Sequence, residues 1–459
     1  MGKKNPRKGE PKEGRCGYYL SKKNRYCTQR VTPPATHCLY HGGDKEERVP
    51  CPVDPTHTVR AANIDKHVLV CTAAIQAAER EERRNQSAFY VPDVNMPPPP
   101  PSPPSLGSIH AAEPDSVVAF LSRLEEAYAQ ARAGNYGLDI PASVEVHPAI
   151  PVTTEGSSAR HVAQVSSLVA AMDGEGVVDR DRFLYCEPGA GRGSLCGGVA
   201  DALGLPPPSA HAPASSSAAS TSASSSSASA SGPQETLFLL LERESRKLCA
   251  DRGARADVSV RILEDIKDVD LLQVPALAET DRKLVMIAKH LCGGGTDLAL
   301  NMVLRSQEVV ERTAAILIAQ CCFGKISTDT FLGHGFLEEL GLGIEYFDWL
   351  RVVSEWSTSA PSGPSPGSPE GLPAQEALQV LDDTHITSSL PSPLPSSFSL
   401  KSSDHFPASA RHTLSRKARY LVYVARGFVL ASAGFDVRLI EYVPSSITPQ
   451  NIALLATRP

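Results

Sequence analysis

Cys16, Cys27, Cys38 and His41 form a C-x10-C-x10-C-x2-H set, and Cys51, His57, His67 and Cys71 form a C-x5-H-x9-H-x3-C set directly behind it. Each set supplies four thiolate or imidazole ligands, the complement of a closed tetrahedral Zn2+ site. So short a segment holds little apolar material for a core, so the metal would have to provide its folding free energy. The rival reading is a disulfide framework, which needs a secreted chain. The N-terminus MGKKNPRKGEPKEG is charged and lacks a signal-like apolar run, and five cysteines cannot pair evenly. Two structural zinc modules are therefore expected, a CCCH finger over 14–44 and a CHHC finger over 48–74. His37, the leftover ligand type, reads as a solvated loop histidine.

A second group of chemistry-bearing residues lies far downstream. FLYCEPGAGRGSL places Glu187, Gly189, Gly191 and Gly193 directly after an apolar run. Glycines there let the backbone pass close to a ligand, and a following helix offers free N–H groups. A dinucleotide site needs G-x-G-x-x-G; here the run is E-x-G-x-G-x-G, which resembles the turn of S-adenosylmethionine-dependent methyltransferases. Glu187 is then placed to accept from the cofactor's ammonium group, Glu242 from its ribose hydroxyls and Asp265 from its adenine amino group. Each acid also reads as a helix cap or a solvated loop carboxylate. AKHLCGGGTDLAL crowds Lys289, His290, Cys292, Thr296 and Asp297 onto one loop and helix start. Asp297 could be only a helix cap. The basic pair Lys289 and His290 suits a phosphodiester-bearing substrate or a proton transfer.

The elements that must position these groups follow from periodicity. Thr72–Arg84 reads as a short helix closing the second finger, and Ala112–Ala133 and Ala159–Met172 carry apolar residues at helical spacing. Apolar runs at Phe183–Glu187, Thr236–Glu242, Asp257–Leu263, Lys283–His290 and Ala314–Cys322 read as strands, continuous enough for burial on both faces. RKARYLVYVARGFVLASAG reads as a helix, with FDVRLIEYV and IALLAT as closing strands. Alternating strands and helices predict a doubly wound, mostly parallel, Rossmann-like α/β domain over 111–459. A proline-rich linker over 91–110 would precede it, and Ser/Ala/Pro-rich insertions at 205–233 and 357–406 would interrupt it as disordered loops. Cys186, Cys196, Cys249, Cys292, Cys321 and Cys322 are scattered, as expected for reduced and mostly buried thiols.

The net charge of −6 is unevenly spread: residues 1–50 carry 12 Lys+Arg against 5 Asp+Glu, so 12 − 5 = +7, and the rest carries −13. A basic nucleic-acid-contacting arm on a near-neutral enzyme would look like this, as would a solvated charged tail. No apolar stretch reaches the length of a bilayer span.

Taken together, the two ligand sets, RHVAQVSSL (Arg160–Leu168), CEPGAGRGSL, LERESRKLCADR, EDIKDVDL, KHLCGGGTDLAL and YVPSSITPQNIALLA resemble the eukaryotic tRNA 2′-O-methyltransferases that modify nucleotide 4 of the acceptor stem. The CHHC set is also similar to fingers of spliceosomal and other RNA-binding proteins. The resemblance implies S-adenosyl-L-methionine as methyl donor, two structural Zn2+ ions and the tRNA acceptor stem as partner. It also implies an intracellular place of work, nuclear, cytoplasmic or both. Lys289 or His290 would position or deprotonate the ribose 2′-hydroxyl. Two departures stand out. The family usually has Cys-Cys-His-His after its fifth strand, where this chain has CCFGK (Cys321–Lys325). Its C-terminal helix usually carries an Asp before a Gly-Arg pair, where this chain has Tyr423 and then Ala425-Arg426. They motivate a second reading, a non-catalytic RNA-binding relative that keeps the fingers and the cofactor fold.

Overall fold

The structure, a computed structural model, describes residues 13–20, 23, 25–38, 41, 48–101, 106–133, 138, 140, 146–152, 159–206, 236–244, 253–356, 381–382, 384–389 and 406–458. They belong to two units, Met1–Ser87 and Ala88–Pro459. Most of the two expected low-complexity insertions, Cys249, and the basic run Lys3–Lys12 lie outside the described residues.

In the first unit, β1 (Tyr19–Leu20) pairs antiparallel with β2 (Arg25–Tyr26), and β3 (Arg48–Pro50) with β4 (Thr58–Arg60). Helices α1 (Ile64–Val70) and α2 (Thr72–Gln86) follow. Among the described residues of this unit, the buried side chains are Cys16, Cys27, Cys38, Cys51 and Cys71. Neither helix buries a single residue. The interior is thus made of ligands, which is the packing expected of a metal-dependent fold.

The second unit is built on a seven-stranded sheet. Its strands are β5 (Phe183–Pro188), β6 (Phe238–Leu241), β7 (Ser259–Ile262), β8 (Lys283–Lys289), β9 (Thr313–Ala319), β10 (Asp436–Glu441) and β11 (Ile452–Thr457), in the spatial order β10-β11-β9-β8-β5-β6-β7. The pairings from β9 through to β7 are parallel, whereas β11 lies antiparallel between β9 and β10. Of the two expected closing strands only β11 runs against the others, so the sheet is mixed, though mostly parallel. Along β5, Leu184 and Cys186 face one apolar cluster and Phe183 and Tyr185 the other, the two-residue period of a strand covered on both sides. Helices α3 (Pro114–Ala133) and Ala408–Ser432 cover the first face, and α4 (Ala159–Gly174) and α5 (Ser194–Ala202) the second.

Burying two apolar faces against helices is the main stabilising term, at about 25 cal/mol per Å2 of apolar surface removed from water. Strand order reverses between β5 and β8, which opens a crevice at their carboxyl ends where open α/β sheets bind ligands.

The start of the proline-rich segment is not a free spacer. Tyr90 bridges Val269, and fully buried Asn95 donates from Nδ2 to the carbonyls of Ile266 and Val269 while accepting from Arg305. A buried amide with its polar groups this fully matched fixes the chain locally, so part of the segment expected as a linker over 91–110 belongs to the second unit.

Candidate functional site

The first ligand set converges through the β1–β2 hairpin and the loop behind it. His41 Nδ1 lies 3.4 Å from Cys16 Sγ and 3.3 Å from Cys38 Sγ, and Cys27 and Cys38 sulfurs are 4.0 Å apart. Burial raises the Cys16 thiol, but backbone hydrogen bonds at Cys38 and Tyr18 outweigh it and hold the group down at about 6. That favours the thiolate, the form that binds metal. The His41 ring stacks on Tyr18 at 3.9 Å, which fixes its orientation.

The second set uses the β3–β4 turn and the first helix. Cys51 follows β3, His57 precedes β4, and His67 and Cys71 stand one helical turn apart at i and i+4. Cys51 and Cys71 sulfurs are 3.9 Å apart, and the His57 and His67 Nε2 atoms 3.0 Å. Asp54 Oδ2 lies 3.4 Å from His57 Nδ1, the carboxylate partner that orients a zinc-bound imidazole. All four donor atoms of each set lie within 4.8 Å of one another. Both donor sets fit Zn2+.

In the second unit the predicted cofactor residues gather at the carboxyl ends of β5, β6 and β7. Gly189, Gly191 and Gly193 adopt left-handed backbone with φ of 65°, 53° and 71°, conformations that cost other residues about 1–2 kcal/mol each. The turn packs tightly as well, since a Cβ on Gly189 would sit 2.6 Å from Leu291 Cδ1. Glu187 is buried and accepts at 2.9 Å from the Cys196 backbone N–H on α5; burial pushes its carboxyl up to about 7. Glu242 Oε2 accepts from Gly191 N at 2.7 Å, joining β6 to the glycine turn. Arg261 donates to Gly191 O at 3.0 Å from β7. Asp265 caps a short 3-10 turn and lies 3.8 Å from Arg243. Glu187 and Glu242 thus flank the glycine turn, with Asp265 beyond the end of β7, and their remaining carboxylate lone pairs suit ammonium, hydroxyl and amino donors.

Lys289 ends β8, beside β5, and is buried. Burial lowers its ammonium to about 8, with Glu187 and Cys321 pulling the other way. Its Nζ lies 2.8 Å from Nδ1 of His161, on α4. Burial and the Lys289 charge hold His161 below the usual imidazole range, so a neutral ring accepts from the ammonium. His290 follows in left-handed backbone, φ 63°, with its side chain exposed. Sequence reasoning passed over His161, although it sits inside RHVAQVSSL; only the fold brings it to Lys289.

Asp297 is no helix cap. It lies in the first turn of α6 (Gly295–Leu304), where Gly294 is the cap, and both its oxygens are taken by Arg426 at 2.6 and 3.1 Å. Arg426 also donates to Gln320 beyond β9, so it ties the long C-terminal helix to the helix Gly295–Leu304 and to the end of β9.

The family model "Methyltransferase TRM13" matches residues 163–457, well over half of the chain. The chain belongs to the TRM13 methyltransferase family. The "U11-48K-like CHHC zinc finger" model matches residues 48–72, which hold the second ligand set. A human protein named tRNA:m(4)X modification enzyme TRM13 homolog is 26% identical over 397 residues, covering 76% of this chain and 75% of its own length. Proteins named tRNA:m(4)X modification enzyme TRM13 from Yarrowia lipolytica and Saccharomyces cerevisiae are each 25% identical. They cover 99% and 97% of this chain, and 93% and 94% of their own. No solved structure matches the chain.

The two departures noted in the sequence meet in space. Phe323 and Tyr423 pack edge to face, with ring centroids 5.2 Å apart, and the Arg419 guanidinium lies over the Phe323 ring. Gly324 donates its N–H to Glu355, and a Cβ there would overlap the Glu355 side chain at 2.6 Å.

Proposed function

We propose that this methyltransferase acts on the ribose 2′-oxygen of nucleotide 4 in the tRNA acceptor stem, with S-adenosylmethionine as donor. The observation that carries the proposal is Lys289, a buried lysine lowered toward neutrality at the reversal point of the sheet, beside the glycine turn. When bound, S-adenosylmethionine supplies a methyl group made electrophilic by its positive sulfur. Glu187, Glu242 and Asp265 hold the donor through ammonium, hydroxyl and amino groups. Lys289 in its neutral form takes the proton from the 2′-hydroxyl as that oxygen attacks. His161 sets the direction of the lysine amine, and His290 stands exposed at the mouth to meet the substrate. Alignment of the oxygen with the methyl–sulfur bond is as important as its deprotonation.

The relatives' names, tRNA:m(4)X modification enzymes, support tRNA as the substrate and are consistent with nucleotide 4. An acceptor stem is A-form, and is recognised through shape, phosphates and 2′-hydroxyls rather than base edges. The zinc modules, 14–44 and 48–74, are the recognition arm in this reading, carried ahead of the catalytic domain over 111–459. The enzyme works inside the cell, where its substrate is.

Incubating the full chain with tRNA transcripts and tritiated donor, then mapping ribose methylation, tests the assignment. Label confined to the ribose of nucleotide 4 is expected; label on a base, at another nucleotide or in protein overturns it. The sequence departures CCFGK and Tyr423 motivate one alternative, an RNA-binding relative without chemistry. Donor binding by calorimetry with no transfer to any tRNA is the result that selects it.

A further inference from the structure

Cys292 and the adjacent pair Cys321–Cys322, thirty residues apart in the sequence, meet at the carboxyl ends of β8 and β9. Cys292 Sγ lies 3.2 Å from Cys322 Sγ and 3.6 Å from Cys321 Sγ, and all three sulfurs fall within 4.8 Å of one another. The two zinc fingers give an internal standard, since their cysteine sulfurs stand 4.0 and 3.9 Å apart. Tetrahedral zinc with Zn–S bonds of about 2.3 Å separates two sulfurs by about 3.8 Å. The third cluster is as tightly drawn as either finger.

The backbone is arranged to make this convergence. Neighbouring residues of an extended chain point to opposite sides, so Cys321 and Cys322, just beyond β9, would diverge if the strand continued. Cys322 instead adopts left-handed backbone, φ 52° and ψ 51°, a conformation uncommon outside glycine, asparagine and aspartate. His290, at the end of β8, does the same, and these are two of the three non-glycine residues with positive φ among the described residues. Between them, Gly293 packs so closely on the loop after β9 that a Cβ would overlap the Lys325 carbonyl. Strained positions on both loops therefore bring the thiols together, and such strain persists only where the surroundings impose it.

We propose that Cys292, Cys321 and Cys322 form a third metal site, a three-thiolate centre for Zn2+. Binding converts three thiols to thiolates, releases three protons and leaves a complex of net charge −1. Cys321 is buried and Cys322 half-buried, whereas Cys292 is exposed. The open side of the site is therefore the Cys292 side, where water or a donor atom of a bound molecule completes the tetrahedron. A site with three protein ligands and one open position is the form that exchanges ligands, unlike the closed finger sites. It lies on the same edge of the sheet as Lys289, three residues from Cys292.

Zinc per chain, measured by elemental mass spectrometry on protein purified without chelator, tests the proposal. The Cys292→Ser/Cys321→Ser/Cys322→Ser variant is expected to hold one zinc fewer than the unaltered chain. Cys51→Ser is expected to lower the count separately, through the CHHC finger. The single Cys292→Ser variant, altered at an exposed side chain, should show the same loss of one and gives the answer if the triple variant does not fold. An unchanged count in the folded variants overturns the proposal, as does a Cys292–Cys322 disulfide in protein prepared without oxygen. The count is read without methyl transfer, so its failure is separate from failure of the proposed reaction.

Discussion

Lys289 can be tested through its charge. Burial lowers its ammonium from the ordinary lysine value of 10.5 to about 8. The groups that face it are Glu187 on β5, Cys321 beyond β9, His161 on α4 and the adjacent His290. If neutral Lys289 is the base, the active fraction at pH 7 is about a tenth, and the single-turnover rate should rise about tenfold between pH 7 and pH 9 before levelling. The sign follows from the direction of the shift: the group loses its proton as pH climbs through 8, and only then can it accept one. Lys289→Arg keeps the positive charge but cannot deprotonate in this range, so it should lose a factor of about 100 or more. Lys289→Met should lose as much activity while gaining stability. Below pH 8 the buried charge costs on the order of 3 kcal/mol, from about 2.5 units at 1.36 kcal/mol each, part of which is offset by the lost bond to His161. Tritium transfer to tRNA under single-turnover conditions gives the rate, and urea unfolding gives the stability. A rate flat from pH 7 to pH 9, together with an active Lys289→Arg variant, would refute general-base action by this residue.

Further outcomes follow from the same structure. Asp297→Asn leaves Arg426 buried without its bidentate carboxylate and should cost about 3–5 kcal/mol in urea unfolding; a loss below 1 kcal/mol would mean the pair is replaced by other contacts. Chelation with EDTA should abolish hydrogen-exchange protection in the described part of residues 13–86 and leave the sheet of the second unit protected. Gly191→Ala, at φ 53°, should weaken donor binding about tenfold by calorimetry, since about 1–2 kcal/mol of strain falls on the turn itself. RNA affinity should fall linearly in log–log form with salt, and removing finger arginines such as Arg25 and Arg30 should make that slope shallower.

What the sequence disclosed depended on the distance over which each feature is encoded. The finger ligands were legible because one hairpin or one helix turn carries each set, so spacing alone implies proximity. The apolar runs of β5, β6, β8 and β9 were legible because a parallel strand covered on both faces has no polar alternation. Their order was not, and neither was the reversal of β11, because pairing partners lie up to more than a hundred residues away. Asn95 shows the limit of composition as a guide. Its segment reads as linker because it is proline-rich, yet one amide with matched buried partners is enough to dock it.

The site divides along the same line. Glu187, the glycine turn and Glu242 follow strand ends and could be placed from the pattern, whereas His161 reaches Lys289 across 128 positions and the three cysteines meet across 30. The departures at Phe323 and Tyr423 carry the same lesson. Taken singly, each reads as the loss of a polar group from a site. In the fold they are one edge-to-face contact, 5.2 Å between centroids, under the Arg419 guanidinium. A polar group deleted alone would leave its partner buried and unmatched, at a cost of about 1–3 kcal/mol. Phe323 and Tyr423 pack on each other beside Cys321 and Cys322, and the glycine turn, Glu187, Glu242 and the Lys289–His161 contact are all in place.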